Sequence, residues 1–159
     1  MPLTESGLQS TFESGEVTIP ADGIPTVRVA IDDLTKAVDK VRFELDHGRF
    51  VDVTAVDRLT AEDRFELVYL FYSLRDKTWL RLKTRTTGEA PSITSSVPGA
   101  NWYEREMFDL FGIMFTGHPD LTRIMLPDDW QGYPLRRTVP IGAEPVDFTV
   151  TRAAYGAQP

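Results

Sequence analysis

Residues 49–85 read RFVDVTAVDRLTAEDRFELVYLFYSLRDKTWLRLKTR. Three runs within them, 49–56, 64–74 and 78–85, are rich in Val, Phe, Tyr or Trp and are separated by short polar turns. Such composition is typical of β-strands, because branched and aromatic side chains pack well on a pleated surface. Connections this short favour antiparallel pairing of neighbouring strands. The stretch therefore predicts three consecutive antiparallel strands.

One more strand and one helix are predicted just before this stretch. Residues 26–31 (TVRVAI) have the pattern of a strand, and Asp32 or Asp33 can supply the N-cap of a helix that ends at 46–48. The apolar stripe of this helix consists of Leu34, Val38, Val41 and Leu45. The resulting order, β-α-β-β-β, predicts an α+β fold in which the helix packs on one face of the sheet.

The composition of the chain changes near residue 100. Residues 1–100 are expected to form an N-terminal α+β domain, with a frayed lead-in that contains one edge strand around Val17 and Ile19. A short helix could start at Ser92. Residues 101–159 are expected to form a helix followed by an extended segment rich in aromatic residues and Arg. Because these residue types are enriched at interfaces, the second part has the composition of a partner-docking segment.

The overall composition excludes several classes of function. With 159 residues and 42% hydrophobic residues, the chain suffices for one globular domain of ordinary size. A net charge of −7, from 17 Lys and Arg against 24 Asp and Glu, argues against nucleic acid as a partner. The absence of cysteine excludes disulfides, thiolate metal sites and cysteine-ligated iron–sulfur clusters. We expect neither a secretory leader nor membrane insertion, since no run approaches about 20 apolar residues.

The predicted strand 78–85 has two unlike faces. Leu80 and Leu82 lie on one of them. The other carries a tryptophan and three cations, namely Trp79, Arg81, Lys83 and Arg85. A basic stripe beside an aromatic side chain can bind nucleic acid. Because the chain is acidic overall, we interpret this stripe as a solvated face of the sheet.

A second helix is predicted from residue 101. Asn101 and Glu104 have the spacing of a capping box, and Gly112 is placed to end the helix. The apolar stripe consists of Tyr103, Met107, Leu110, Phe111 and Met114. On the opposite face, Arg105 and Asp109 are four residues apart, which predicts an ion pair within the helix.

Acid–base catalysis by carboxylates and a histidine is a remote alternative function. A small soluble enzyme could use Glu104, Asp109 and His118 as an acid–base cluster, provided that the three converge on one pocket. The only other histidine is His47, and neither histidine has the spacing of a metal ligand, so we expect no metal site. The usual nucleotide, phosphate and hydrolase motifs are absent from the sequence. The residues therefore favour a non-catalytic docking domain.

Residues 115–140 read FTGHPDLTRIMLPDDWQGYPLRRTVP. Proline and glycine recur at intervals too short for a long helix or a central strand, yet the segment is rich in Leu, Ile, Met, Trp and Tyr. Long irregular segments of compact domains are usually functional. This one is expected either to cover its own domain or to lie in a groove of another chain, and the residues leave both possibilities open.

Residues 102–137 also resemble a known family. The matching blocks are 104–106, 109–112, 117–119, 123–124, 128–130 and 134–136. On these blocks the chain resembles the thirty-kilodalton subunit of respiratory complex I, which is the C subunit of the bacterial proton-translocating NADH:quinone oxidoreductase. The resemblance implies a structural subunit of an oxidoreductase complex, peripheral on the cytoplasmic side of the cell membrane and without a catalytic centre of its own.

The resemblance also implies cofactors and partners. The parent complex passes electrons from NADH through FMN and iron–sulfur clusters to quinone, whereas this subunit binds none of these groups itself. The extended segment is expected to pack on the forty-nine-kilodalton subunit, here named the large subunit, next to the quinone site and a cluster-bearing subunit, within a hetero-oligomer. The predicted contact residues are Glu104, Arg105, Asp109, Phe111, Phe115, His118, Arg123, Asp128, Asp129, Trp130, Tyr133 and Arg136. An equivalent subunit of a membrane-bound nickel–iron hydrogenase, or of another quinone-linked dehydrogenase, stays open as an alternative.

Overall fold

The computed structural model describes residues 3–59 and 62–140. The helices are α1 (Glu5–Thr11), α2 (Leu34–Asp39) and α3 (Ala100–Phe111). The strands are β1 (Glu16–Thr18), β2 (Thr26–Arg28), β3 (Arg49–Asp57), β4 (Phe65–Ser73), β5 (Thr78–Thr86), β6 (Glu89–Pro91) and β7 (Met114–Thr116). A 3-10 turn, Ile31–Asp33, precedes α2, and a π-helical turn, Lys40–Glu44, follows it. Residues 141–159, the end of the predicted docking segment, lie outside the described part.

Five strands form one mixed sheet in the order β1-β2-β5-β4-β3. The strands β3, β4 and β5 pair antiparallel, as predicted. β2 joins β5 in parallel, so that Val27 lies beside Leu82. β1 pairs antiparallel with β2 and is the edge strand that was predicted around Val17. The predicted α+β fold and its β-α-β-β-β order are therefore confirmed.

The helices pack on one face of this sheet, here named the inner face. Its fully buried side chains include Leu67, Tyr69, Phe71, Leu80 and Leu82. They belong to one core cluster with Leu34 and Val38 of α2 and Met107 of α3. Because this core holds side chains of every layer, it fixes the position of α3 relative to the sheet.

Helix α3 is the crossover of a small β-α-β unit. The strands before and after it, β6 and β7, pair in parallel, with Ala90 beside Phe115. The helix lies against β3, where Tyr103 Oη donates to the carbonyl of Val51, 3.2 Å away, at a bulge in the strand. The pairing of β6 with β7 and the shared core both join residues that lie before and after residue 100. The division of the chain into two parts at residue 100 stays a prediction.

Two local features differ from the predictions. The first residues form α1, whose Thr4 hydroxyl accepts from the amide of Gly7 and whose Leu8 is buried in the core. A single buried leucine gives no apolar stripe, so the sequence pattern does not reveal this helix. No helix starts at Ser92, because the following residues close a turn in which the amide of Val97 donates to the carbonyl of Ile93.

Candidate functional site

The first turn of α3 has no side-chain cap, so the capping box predicted for Asn101 and Glu104 is wrong. The helix begins at Ala100, and the amides of Ala100 and Asn101 donate to the carbonyls of Val97 and Pro98. The preceding turn thus satisfies two of the four donors at the start of the helix. Glu104 faces inward instead.

The carboxylate of Glu104 is fully buried and ties α3 to the turn after β6. It accepts from Ser92 Oγ at 2.6 Å and from the amide of Ile93 at 2.8 Å. Its Oε2 lies 4.0 Å from Nε2 of His118, whose side chain is also buried. Burial raises the pKa of Glu104 to about 6, although both hydrogen bonds act in the opposite direction. This carboxyl is therefore easier to protonate than one in water.

His118 fastens the start of residues 117–140, here named the C-terminal segment, to α3. Its Nδ1 accepts from the amide of Asp120 at 3.1 Å, and its Nε2 lies 3.3 Å from the carbonyl of Asn101. Because Nδ1 accepts, the ring hydrogen of the neutral form belongs on Nε2, which donates to that carbonyl. The imidazole thus bridges the segment and the helix.

Replacing Glu104 by Gln should remove a pH dependence of stability. The native pKa of about 6 exceeds the ordinary value of 4.5, so the native state binds more protons between these values. The free energy of unfolding should fall by about 2 kcal/mol as pH rises through this range, and the variant should lack this fall. Urea unfolding of both proteins about one pH unit below and about one pH unit above this range measures the difference. Equal pH slopes would contradict the assignment.

Asp109 is fully buried and accepts from four donors of the C-terminal segment. Its Oδ1 lies 2.9 Å from Nη1 of Arg123. Its Oδ2 accepts from the amides of Ile124, Met125 and Leu126 at 3.1, 2.8 and 3.0 Å. Burial raises the pKa of Asp109, but the three amides and Arg123 together lower it below its usual value. One ionised carboxylate therefore fixes the turn at 123–126.

Arg105 binds the same segment, so the ion pair predicted between Arg105 and Asp109 is wrong. Its guanidinium donates to the carbonyl of Thr122 at 3.0 Å, to the hydroxyl of Thr122 at 2.8 Å and to the carbonyl of Arg123 at 3.3 Å. It also lies 5.1 Å from the ring centre of Trp102. Both charged side chains of the helix reach across to the segment rather than along the helix.

The C-terminal end of α3 is closed by Gly112 and Arg136. Gly112 ends the helix, as predicted, and it adopts the left-handed conformation, with φ of 72°. Arg136 Nε donates to the carbonyl of Phe111 at 2.6 Å, and its Nη2 donates to the carbonyl of Gly112 at 3.3 Å. Its guanidinium lies 4.4 Å from the ring centre of Tyr133. A cation at this end of a helix is favourable, because the last carbonyls lack partners within the helix.

A further tie joins the chain just after Arg136 to the end of β3. Asp57 accepts two hydrogen bonds from Arg64, at 2.9 and 2.6 Å, and one from the amide of Arg137 at 2.9 Å. Hydrogen bonds from Arg64 lower the pKa of Asp57 far below its usual value in spite of burial, with help from the amides of Arg137 and Leu59. Sequence reasoning missed Asp57 and Arg64, because 80 residues separate Asp57 from Arg137.

The predicted contact residues do not all lie on the surface. Glu104, Asp109 and Phe115 are buried, whereas Asp128 and Asp129 are exposed. The residues of intermediate exposure are Arg105, Phe111, His118, Arg123, Trp130, Tyr133 and Arg136. The buried carboxylates hold the C-terminal segment on the body of its own chain. Contact of any of these residues with a partner stays a prediction.

Sequence reasoning also missed the apolar side chains that the segment turns outward. Met125 is 62% exposed and Leu135 is 50% exposed. Trp102, in the first turn of α3, is 64% exposed. No periodic pattern distinguishes them, because the segment has no regular structure. Their exposure follows from the hydrogen bonds that fix the backbone around them.

The acid–base alternative is not favoured by this geometry. Glu104 and His118 come together, but neither side chain has exposed surface, and Asp109 is engaged with Arg123. Groups without exposed surface cannot contact a substrate. Within residues 3–59 and 62–140, no set of three or more His, Asp or Glu side chains could hold a metal ion. No helix in the same ranges is both long and apolar enough to cross a bilayer.

Comparison with known proteins gives consistent matches. Residues 27–145 match the family model described as the respiratory-chain NADH dehydrogenase 30 kDa subunit. The C subunit of NADH-quinone oxidoreductase from Roseiflexus sp. strain RS-1 is 46% identical over 122 residues, which cover 72% of this chain and 70% of that protein. The C subunit from Geotalea uraniireducens is 44% identical over 75% of this chain and 74% of its own length. The mitochondrial 30.4 kDa subunit of NADH-ubiquinone oxidoreductase from Neurospora crassa is 51% identical over 57% of this chain and 32% of its own length.

Two solved structures share the fold. A trypsin-resistant fragment of Nqo5 superposes with a TM-score of 0.65 and 25% identity, over 74% of this chain and 98% of the fragment. A chain of the membrane-bound sulfane sulfur reductase, an archaeal respiratory membrane complex, superposes with a TM-score of 0.75 and 22% identity. The second match covers 98% of this chain and 92% of the archaeal one.

Proposed function

The chain belongs to the family of the 30 kDa subunit of respiratory-chain NADH dehydrogenase, and from this we propose that it is a non-redox structural subunit of the proton-translocating NADH:quinone oxidoreductase. Its C-terminal segment docks on the large subunit, beside the quinone site and a cluster-bearing subunit. The complex that results is a hetero-oligomer whose hydrophilic arm lies on the cytoplasmic side of the membrane.

One observation carries the proposal. The C-terminal segment has no regular structure, yet three side chains, Asp57, Asp109 and Arg136, here named the anchors, hold it in one conformation on the body of the chain. In that conformation Met125 and Leu135 are turned outward. A fixed surface that combines apolar and charged side chains is suited to bind a partner, because little order has to be gained on binding.

The proposed absence of redox groups concerns this chain alone. FMN, iron–sulfur clusters, NADH and quinone belong to other subunits of the parent complex, and the chain has no cysteine that could hold a cluster. The close pairing of a carboxylate and an imidazole, Glu104 with His118, is closed to solvent. We therefore assign the chain a structural role in assembly rather than a role in electron transfer.

Affinity purification tests the docking surface directly. We compare the tagged chain with a variant carrying Met125→Asp and Leu135→Asp, and recover both from solubilised membranes of cells that make the complex. Burying two carboxylates at an apolar interface should reduce the recovered amount of the large subunit by more than about tenfold. Mass spectrometry measures the subunits, and absorbance of the eluate measures FMN and iron. A variant with Phe43→Asp is the matched control, since Phe43 is an exposed apolar residue outside the segment.

Each result has a definite meaning. Loss of the large subunit from the double variant but not from the control supports docking through the C-terminal segment. Equal recovery from all three proteins contradicts it. Recovery of hydrogenase-type subunits in place of the NADH-oxidising module would keep the docking surface and assign the chain to a different enzyme. Melting temperatures of the purified chains verify that the substitutions leave the fold intact.

A further inference from the structure

One buried acid of this chain has no arginine or lysine beside it. The buried acids among the described residues are Asp57, Glu66, Glu104 and Asp109. Three of them lie 2.9 Å or less from an arginine nitrogen. For Glu104, the salt-bridge neighbour within the described ranges is His118, whose Nε2 lies 4.0 Å away. A buried carboxylate without a permanent cation is costly to keep ionised, and such a group tends to take up a proton instead.

The hydrogen bonds of Glu104 suit the neutral acid as well as the carboxylate. In the carboxylate, Oε2 accepts from Ser92 Oγ at 2.6 Å and Oε1 accepts from the amide of Ile93 at 2.8 Å. In the neutral acid, Oε2 donates to Ser92 Oγ, and Ser92 turns its own hydrogen to Thr94 Oγ1, 2.7 Å away. The amide of Ile93 keeps its acceptor in both states. The carboxyl group therefore binds a proton without losing a hydrogen bond.

The neighbouring imidazole is not free to take this proton. Nδ1 of His118 accepts from the amide of Asp120, and Nε2 carries its hydrogen toward the carbonyl of Asn101. A proton on Nδ1 would leave two donors facing each other, so the amide of Asp120 would have to move. Tyr69 of β4 is fully buried near Glu104, and it stays neutral because burial and the charge of Glu104 both raise its pKa well above the usual value. The proton therefore belongs on Glu104.

A chain of hydroxyl groups connects this carboxyl to the surface. Thr94 is partly exposed, whereas Ser92 and Glu104 are buried. Thr94 Oγ1, Ser92 Oγ and Glu104 Oε2 follow one another at 2.7 and 2.6 Å. A proton from water can pass along this chain, because each hydroxyl accepts one hydrogen and gives its own to the next oxygen. At the end, both hydroxyls are neutral again and the carboxyl group has gained one proton.

We propose that Glu104 is a proton-binding site inside the folded chain, and that protons enter and leave it through the hydroxyls of Ser92 and Thr94. The site lies under the start of the C-terminal segment, since the buried ring of His118 lies next to the carboxyl group. It is a property of the chain by itself, so it does not depend on the proposed function.

Proton binding is coupled to the fastening of the C-terminal segment. Lifting His118 lets water reach the carboxyl group, which returns its pKa from about 6 toward the ordinary value of 4.5. The closed segment thus binds the proton more tightly than an open one, and acid favours the closed form. This preference is complete below pH 4.5 and is lost as pH rises through 6. It amounts to about thirtyfold in the equilibrium between the two forms.

Carbon NMR of the full-length chain, labelled at the carboxyl groups of glutamate, locates the proton. One signal should titrate with a midpoint near pH 6, above the signals of the exposed glutamates. Glu104→Gln should lack this signal, and through-bond assignment in the unmodified chain identifies it independently of the variant. A midpoint for Glu104 at or below the ordinary value of 4.5 overturns the proposal.

Two hydroxyl variants test the route of the proton. Thr94→Val should leave the midpoint of Glu104 unchanged but slow its proton exchange with water about tenfold or more, because the outer hydroxyl is lost. Ser95→Ala is the matched control, since Ser95 is an exposed hydroxyl in the same turn and lies outside the chain of oxygens. Line shapes of the Glu104 signal near its midpoint measure the exchange. Equal rates in the two variants, at equal melting temperature, overturn the proposed route.

Removal of the inner hydroxyl should change the midpoint itself. Ser92 Oγ donates to the carboxylate and so lowers the pKa of Glu104. Ser92→Ala should therefore move the midpoint of the Glu104 signal to higher pH, in contrast to Thr94→Val. A midpoint that stays in place or moves to lower pH contradicts the assigned contact between the hydroxyl and the carboxylate.

Hydrogen exchange at the amide of Asp120 tests the coupling, because this amide is bound to His118 Nδ1. After correction for the intrinsic rate, its exchange should be about thirtyfold slower one pH unit below 4.5 than one pH unit above 6. Glu104→Gln should abolish this difference. The amide of Val29, which donates to Lys83 within the sheet, is the internal control. Equal pH dependence of the Asp120 amide in both chains overturns the coupling.

Discussion

The Asp109→Ala variant should unfold with a free energy about 3–5 kcal/mol below that of the unmodified chain. The substitution strands the guanidinium of Arg123 and the amides of Ile124, Met125 and Leu126, all of which now bind one carboxylate. Removing one member of a buried charged network costs about 3–5 kcal/mol, because the remaining groups lose their compensation for lost water. Urea unfolding followed by circular dichroism measures the change.

Two control variants separate charge from position. Asp109→Asn keeps the shape of the side chain but removes its charge, so it should lose less than the alanine variant. Asp128→Ala removes a carboxylate that is exposed on the same segment and should change stability by less than about 0.5 kcal/mol. Digestion with trypsin should cut the Asp109→Ala variant faster after Arg123. A loss from Asp109→Ala as small as that of the Asp128 control would show that Asp109 is not an anchor.

The Gly112→Ala variant should lose about 2–4 kcal/mol, for two reasons that add. An alanine in the left-handed conformation costs about 1–2 kcal/mol. In addition, its Cβ would lie 2.5 Å from both Arg136 Nη2 and a ring atom of Tyr133. The stacked pair would have to move, which breaks the hydrogen bonds that close the end of α3. Thermal unfolding of the purified chain measures the loss.

Gly117→Ala is the matched control for this prediction. Gly117 also has a positive φ, of 84°, but a Cβ at this position meets nothing within 4 Å. Its replacement therefore carries the backbone cost alone. The difference between the two variants measures the steric part, and equal losses would show that Arg136 and Tyr133 yield freely to the added methyl group.

The sheet could be predicted because its signal is local. Strands β3, β4 and β5 are apolar runs bounded by turns, and the end of α3 follows from Gly112, whose residue type suits the left-handed conformation. The anchors could not be predicted as such, because their partners are distant in sequence. Glu104 has the spacing of a capping box, but Ser92, 12 residues before it, binds the carboxylate. Nearby residues can only suggest nearby partners, as they did for Arg105 and Asp109.

The face of the sheet opposite the helices illustrates a second limit. The alternating cations of β5 indicate a solvated surface when that strand is considered alone, and only the register places them beside the apolar side chains of β4. A sequence defines which residues share one face of a strand. Which neighbouring strand supplies the rest of the surface follows from the pairing, which the short turns predict only in part.

The hydrogen bond between Asp57 and the amide of Arg137 has a consequence for the order in which the protein folds. It closes a loop of 80 residues, whereas the β3–β4 pairing closes a short hairpin. Contacts between distant residues carry a larger entropic cost of closure and tend to form after local ones. Folding kinetics should therefore show the hairpin forming early and the C-terminal segment fastening last. Newly synthesised chains would then become competent for assembly only when their sheet is complete.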